Sequence, residues 1–168
     1  MNDLYAEASV KKKVTLADTL VKVVSVLVVA LVFVVGWFLQ QMIITLLGTL
    51  GIVMALTLLP RLSTIYEYIF CDGQLDFDKI MGGDKRKHLY RLDFEQVLIM
   101  APVNSHTLDA YKNNNTARKL DFTSLEKDRK VYCIVESTGS MMTLVYFEPN
   151  DKMVSYIKQK APRKVSEY

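Results

Sequence analysis

The chain is 168 residues long, with 21 Lys and Arg against 18 Asp and Glu, a net charge of +3, and 51% hydrophobic residues at a mean hydropathy of +0.15. So slight a positive charge excludes a dedicated nucleic-acid binder, which carries a dense basic face. So moderate a hydropathy fits an apolar hairpin beside an ordinary polar domain better than a chain made mostly of membrane spans.

Residues 1–20 read as a cytoplasmic N-terminal segment. Leu4, Val10, Val14 and Leu16 stand among Lys and acids in a weak amphipathic pattern that suits the inner membrane surface. Lys11, Lys12 and Lys13 are candidate contacts for anionic headgroups, at about 1 kcal/mol each near the surface, and they also serve simply to set membrane orientation.

The run from Val23 to Leu59 contains 37 residues without one Asp, Glu, Lys or Arg. At about 1.5 Å per residue it would form a helix of roughly 55 Å, against a hydrocarbon core of about 30 Å, so one straight crossing fits poorly. Gln40 and Gln41, just after Gly36, Trp37 and Phe38, mark a break near its middle. Residues 21–60 are therefore expected to form a two-helix transmembrane hairpin, Val21–Leu39 and Met42–Leu59, with Trp37 at the interface and Pro60 ending the second helix. Gly48, Gly51 and Ala55 give that helix a small-residue packing face, most simply for the first helix, otherwise for a homo-oligomer or another subunit. The absence of ionisable residues argues against a proton or ion path. Lys11, Lys12, Lys13 and Lys22 precede the hairpin, Arg61 follows it and the turn has no charge, which predicts a multi-pass cell-membrane protein with two spans and both termini cytoplasmic. No cleaved signal peptide is expected, since the apolar run continues into a second span. Cys71 and Cys133 should then be reduced thiols.

Residues 61–168 read as a cytoplasmic domain. Tyr66, Tyr68 and Phe70 share one face of a first strand, and Leu75 and Phe77 alternate with Asp76 and Asp78, which should face water, in a second. Asp72-Gly73 between them is a strong hairpin signal. Gly82 and Gly83 mark a looser turn before strands at Arg86–Leu92 and Glu95–Met100. A polar segment, Val103–Thr116, holds Leu108 and Tyr111 and room for one helical turn; its Asn114-Asn115-Thr116 sequon is empty on a cytoplasmic domain. Further strands fall at Arg118–Phe122, Lys130–Glu136 and Met141–Phe147, the last two joined by residues 137–140. Asn150 caps a helix running to about Lys160, with Met153, Val154, Ile157 and Ala161 on one face.

Seven short strands and a terminal amphipathic helix form the element order of a pleckstrin-homology-like (PH-like) barrel, whose open corner such a helix closes. The two-span anchor, the motif Tyr-x-Tyr-x-Phe-x-Asp-Gly-x-Leu (Tyr66 to Leu75), the basic glycine turn from Gly82 to Lys87, and Arg91-Leu92-Asp93-Phe94-Glu95-Gln96-Val97 resemble small bacterial two-span membrane proteins of an uncharacterised family with a bacterial PH-like domain. The resemblance implies a transmembrane helical hairpin plus a mostly-β PH-like barrel of about seven antiparallel strands and a C-terminal helix. It supplies a location and a fold, and no reaction. In PH domains that bind lipid, the loop joining the first two strands is long and basic. Here Asp72-Gly73 takes that place, so the candidate lipid or partner contact moves one connection later, to Lys85, Arg86 and Lys87, which also read as an ordinary solvated turn.

Chemistry is sparse. His88 and His106 stand apart with no ligand spacing around them, Cys71 and Cys133 fall in strands without an adjacent base, and no phosphate loop or nucleophile elbow occurs. No catalytic residue, metal or cofactor is expected. The predicted function is a non-enzymatic, membrane-anchored binding or scaffold module, with membrane lipids and an unidentified protein as partners. The alternative is an accessory or assembly subunit of a larger membrane complex, docking through Gly48, Gly51 and Ala55.

Overall fold

The computed structural model describes residues 4–14, 16–58, 64–82, 85–114, 116–139 and 141–166, apart from the side chains of 17–18 and 56–58. Pro60, Arg61, Gly83, Asn115 and Ser140, which figure in the reading above, lie outside them. The chain divides into two compact units. One contains residues up to 12, 64–80 and 85–168, and the other contains 13–63 with 81–84.

The first unit is built on two four-stranded sheets and a helix. Sheet A has the order β1-β2-β3-β4, formed by Tyr5–Lys11, Thr64–Cys71, Gln74–Met81 and Lys85–Asp93. Sheet B has the order β5-β7-β8-β6, formed by Val97–Pro102, Tyr132–Thr138, Met141–Phe147 and Arg118–Asp121. Strand β6 runs parallel to β8 and the other registered pairs are antiparallel.

The expected alternation holds where it builds the core. Tyr66, Tyr68 and Phe70 of β2 and Leu75 and Phe77 of β3 turn inward and are buried. Phe77 stacks on Phe122 at 4.7 Å and meets Tyr68 and Phe147 edge to face, geometries the ring quadrupoles favour. Helix α4 (Asp151–Lys160; α1 to α3 follow below) starts where Asn150 accepts a hydrogen bond from the Met153 amide at 2.8 Å, and it buries Met153 and Ile157 against this core.

The outer face of sheet B is covered by the excursion between β5 and β6. A 3-10 turn at His106–Leu108 and the short helix α3 (Asp109–Lys112) bring Leu108 and Tyr111 onto Ala101, Cys133, Val135 and Leu144. Beyond β6, buried Glu148 accepts from both the amide (2.8 Å) and the hydroxyl (2.9 Å) of Ser124, which fixes the loop whose Leu125 adopts φ 64°.

The second unit is a helical hairpin of α1 (Leu16–Phe38) and α2 (Met42–Leu58), broken at Gln40 and Gln41 as expected. Gln40 takes φ 51°, and the Gln41 amide returns to the Gly36 carbonyl at 3.0 Å. A Cβ on Gly36 would lie 2.6 Å from the Thr45 nitrogen, one on Gly48 2.7 Å from Phe33 Cα, and one on Gly51 3.0 Å from Val29 Cγ1. These glycines therefore let two antiparallel helices approach closely. Among the described residues one helix, Thr19–Phe38, is long and apolar enough to cross a membrane, while Met42–Ala55 is apolar but shorter.

Three expectations are corrected. Among the described residues the β unit has eight strands, because Tyr5–Lys11, read as a surface-lying amphipathic stretch, is β1. The hairpin is consequently inserted between β1 and β2 and does not precede a continuous domain over 61–168. The first two strands of sheet A are joined by this insertion, and Asp72-Gly73 joins the second and third.

Candidate functional site

The end of sheet A from which the insertion leaves is fixed by the β1–β2 register. Ala6 pairs with Phe70 and Lys11 with Ile65, and the Lys12 amide closes the ladder on the Thr64 carbonyl at 2.9 Å. Residues 12 and 64 are thus hydrogen-bonded neighbours on either side of the inserted segment. From Thr64, β2 runs to the tight turn at Asp72 (φ 43°) and Gly73 (φ 100°), whose left-handed backbone only glycine and small polar residues adopt readily. Strand β3 returns, so its last residue, Met81, and the first residue of β4, Lys85, stand at the end where Lys12 and Thr64 meet.

That topology brings together two basic runs that are distant in sequence. Lys11 and Lys12, with Lys13 next in the chain, share one end of sheet A with Lys85, Arg86 and Lys87. Lys11, Lys13, Lys85 and Lys87 are exposed and Lys12 is half-buried. Among the described residues none of these five lysines enters an ion pair.

Arg86 is different, and the solvated-turn reading of this run is corrected for it and for its neighbour. Both lie in β4, where Arg86 pairs with Glu67 of β2 and lies 3.7 Å from Asp78 of β3, and His88 Nδ1 is 2.8 Å from the same aspartate. Asp76 and Asp78 accordingly do not simply face water. Asp78 is 8% exposed, and Asp76 takes Arg91 through two hydrogen bonds of 2.6 and 2.8 Å. Burial first, and then the hydrogen bond that its protonated carboxyl donates to the Glu7 carboxylate, raise the Glu67 pKa above its ordinary value, against the opposing pull of Arg86. Glu7 moves the other way, lowered by the Tyr5 hydroxyl, which donates to it at 2.8 Å, and by Glu67. The outer face of sheet A is therefore a cross-strand network from β1 to β4 that holds the basic end in register.

Gly48 and Gly51 sit against α1 as described, so the face offered for docking is filled by the hairpin itself; Ala55 is half-buried. Cys71 is an exposed free thiol, whereas Cys133 is buried, which pushes its thiol up to about 11. No group of three or more His, Cys, Asp or Glu among the described residues is placed to hold a metal ion.

The strand that completes this site was missed in the sequence, although its signal is present. Ala6, Ala8 and Val10 alternate with Tyr5, Glu7, Ser9 and Lys11, a period of two, but small alanines make a weak apolar stripe and the lysine cluster draws the eye to the membrane.

Comparison with known proteins gives no match among curated proteins and none among solved structures. A family model, described as bacterial PH-like domain (DUF6106), matches residues 2–167 and so includes β1, the inserted hairpin and the tail after α4. With its two sheets and C-terminal helix, the chain belongs to the bacterial PH-like domain family DUF6106.

Proposed function

We propose that this protein is a membrane-anchored, non-enzymatic binding or scaffold module, in which α1 and α2 cross the cell membrane as a hairpin and present the PH-like domain at the cytoplasmic face. The observation that carries the reading is the insertion of an apolar hairpin between two paired strands, at the sheet end that also gathers Lys11, Lys12, Lys85 and Lys87. Leu27, Leu31, Val34, Trp37, Phe38, Met42, Ile43, Leu46 and Leu50 are each more than half exposed, a band of apolar surface that water does not favour and acyl chains do.

Length supports two crossings. Helix α1 has 23 residues and α2 has 17, about 34 and 25 Å at 1.5 Å per residue, against a core of about 30 Å; modest thinning or a short snorkelling flank accommodates the shorter one. A sheet end bearing lysines that form no ion pair among the described residues then meets the anionic inner leaflet at about 1 kcal/mol per charge near the surface. Membrane lipid is in this reading one partner, and a protein recognised by the domain is the other.

Alkaline carbonate extraction of cell membranes tests the anchor. The intact chain is expected in the pellet, and a variant in which residues 13–63 are replaced by a short Gly/Ser turn is expected in the supernatant. Release of the intact chain would overturn the proposal.

A further inference from the structure

After α4 the chain turns back on itself. The Lys164 amide donates to the Ala161 carbonyl at 3.0 Å, and the next residues lie along the outer edge of β5. The Met100 amide donates to the Lys164 carbonyl at 2.7 Å, and the Ser166 amide donates to the Met100 carbonyl at 2.8 Å, so Val165 stands beside Met100 as a parallel bridge. The opposite edge of β5 pairs with β7, with Met100 across from Ile134. Residues 164–166 therefore occupy the edge of sheet B as a short added strand.

The side chains show what this edge accepts. The Lys164 ammonium donates to the carbonyls of Phe94 (2.7 Å) and Glu95 (2.8 Å) in the β4–β5 turn, and Val165 packs on the core. A groove of about 650 Å³ adjoins them, lined among others by Gly73, Phe94, Lys160 and Arg163. Among the described residues two main-chain hydrogen bonds join the segment to β5.

We infer that the β5 edge is a strand-accepting surface for an extended partner segment carrying a basic residue followed by a small β-branched one, and that residues 164–166 occupy it in cis. Main-chain pairing supplies affinity without regard to sequence. The paired carbonyls select an ammonium group and the apolar slot selects the residue after it. The tether gives the tail a high effective concentration, so a partner competes poorly until the tail is released.

The probe is a fluorescent peptide with the sequence of residues 161–168, titrated against the full chain in mild detergent and against a chain ending at Pro162. Anisotropy should show at least tenfold tighter binding to the shortened chain, and a Lys164→Glu peptide should lose at least tenfold. Equal binding to both chains, or none to a shortened chain whose circular dichroism melt is intact, would overturn the inference. Should the shortened chain not fold, hydrogen exchange on the unaltered protein decides. The Ser166 and Met100 amides are expected to exchange at least tenfold faster than those of β7, and equal protection would refute an exchangeable tail.

Discussion

Tyr68 is fully buried, and its hydroxyl donates to the Phe122 carbonyl, which ties sheet A to the strand leaving β6. Burial, first of all, pushes that hydroxyl up, so it remains a donor at any ordinary pH. Tyr68→Phe leaves the carbonyl without its donor and should cost about 1–3 kcal/mol, seen as a lower melting temperature of the near-UV signal. The Glu7–Glu67 pair makes a pH prediction. Glu67, raised by burial, contributes stability below its ordinary value of 4.5 that is lost as pH rises through the raised value; Glu7, lowered by the Tyr5 hydroxyl, contributes stability above 4.5 that is lost as pH falls. Glu67→Gln should therefore shift the optimum of melting temperature toward neutral pH, and an unchanged profile would refute the opposed shifts of Glu7 and Glu67. Of the acids of this network only Asp76 and Asp78 were visible in the sequence, as residues alternating with Leu75 and Phe77. Their partners were not, because pairing across β2, β3 and β4 depends on register, which a two-residue period leaves open.

At the scale of elements, the break at Gln40-Gln41, strands β2 to β8, and the cap at Asn150 were all legible, since each rests on a local signal: polarity, alternation, Asp-Gly or a capping side chain. Strand β1 was not, because what makes it a strand is its pairing with residues more than fifty positions later. The mutual approach of α1 and α2 can be tested on the glycines. Gly48→Leu forces a side chain onto the Phe33 backbone and should destabilise the hairpin by about 1–3 kcal/mol, whereas Gly51→Ala meets only the tip of Val29 and should be tolerated much better. Thermal loss of helical signal in detergent compares them. Because Lys12 and Thr64 are hydrogen-bonded neighbours, residues 4–12 joined to 64–166 by a short Gly/Ser turn should fold as a soluble domain. Residues 64–166 alone, lacking β1, should melt much lower or not fold, and equal stability of the two would deny β1 its place in the sheet.

For the whole molecule, the hairpin is an insertion within the domain that leaves and rejoins it at two paired strands. In the proposed arrangement a two-span hairpin returns the chain to the side from which it departed, which is compatible with the pairing of β1 and β2. The family match and the two sheets establish the fold, and that connectivity and the exposed apolar band support the proposed membrane arrangement. The thiols supply the most direct test of it, because Cys71 is exposed in the domain and Cys133 is buried. A membrane-impermeant maleimide is applied to spheroplasts expressing either the native chain or Gln41→Cys, before and after lysis. The turn cysteine should label in intact spheroplasts while Cys71 labels only after lysis; labelling of Cys71 in intact spheroplasts, or protection of the turn cysteine until lysis, would contradict two spans with the PH-like domain inside.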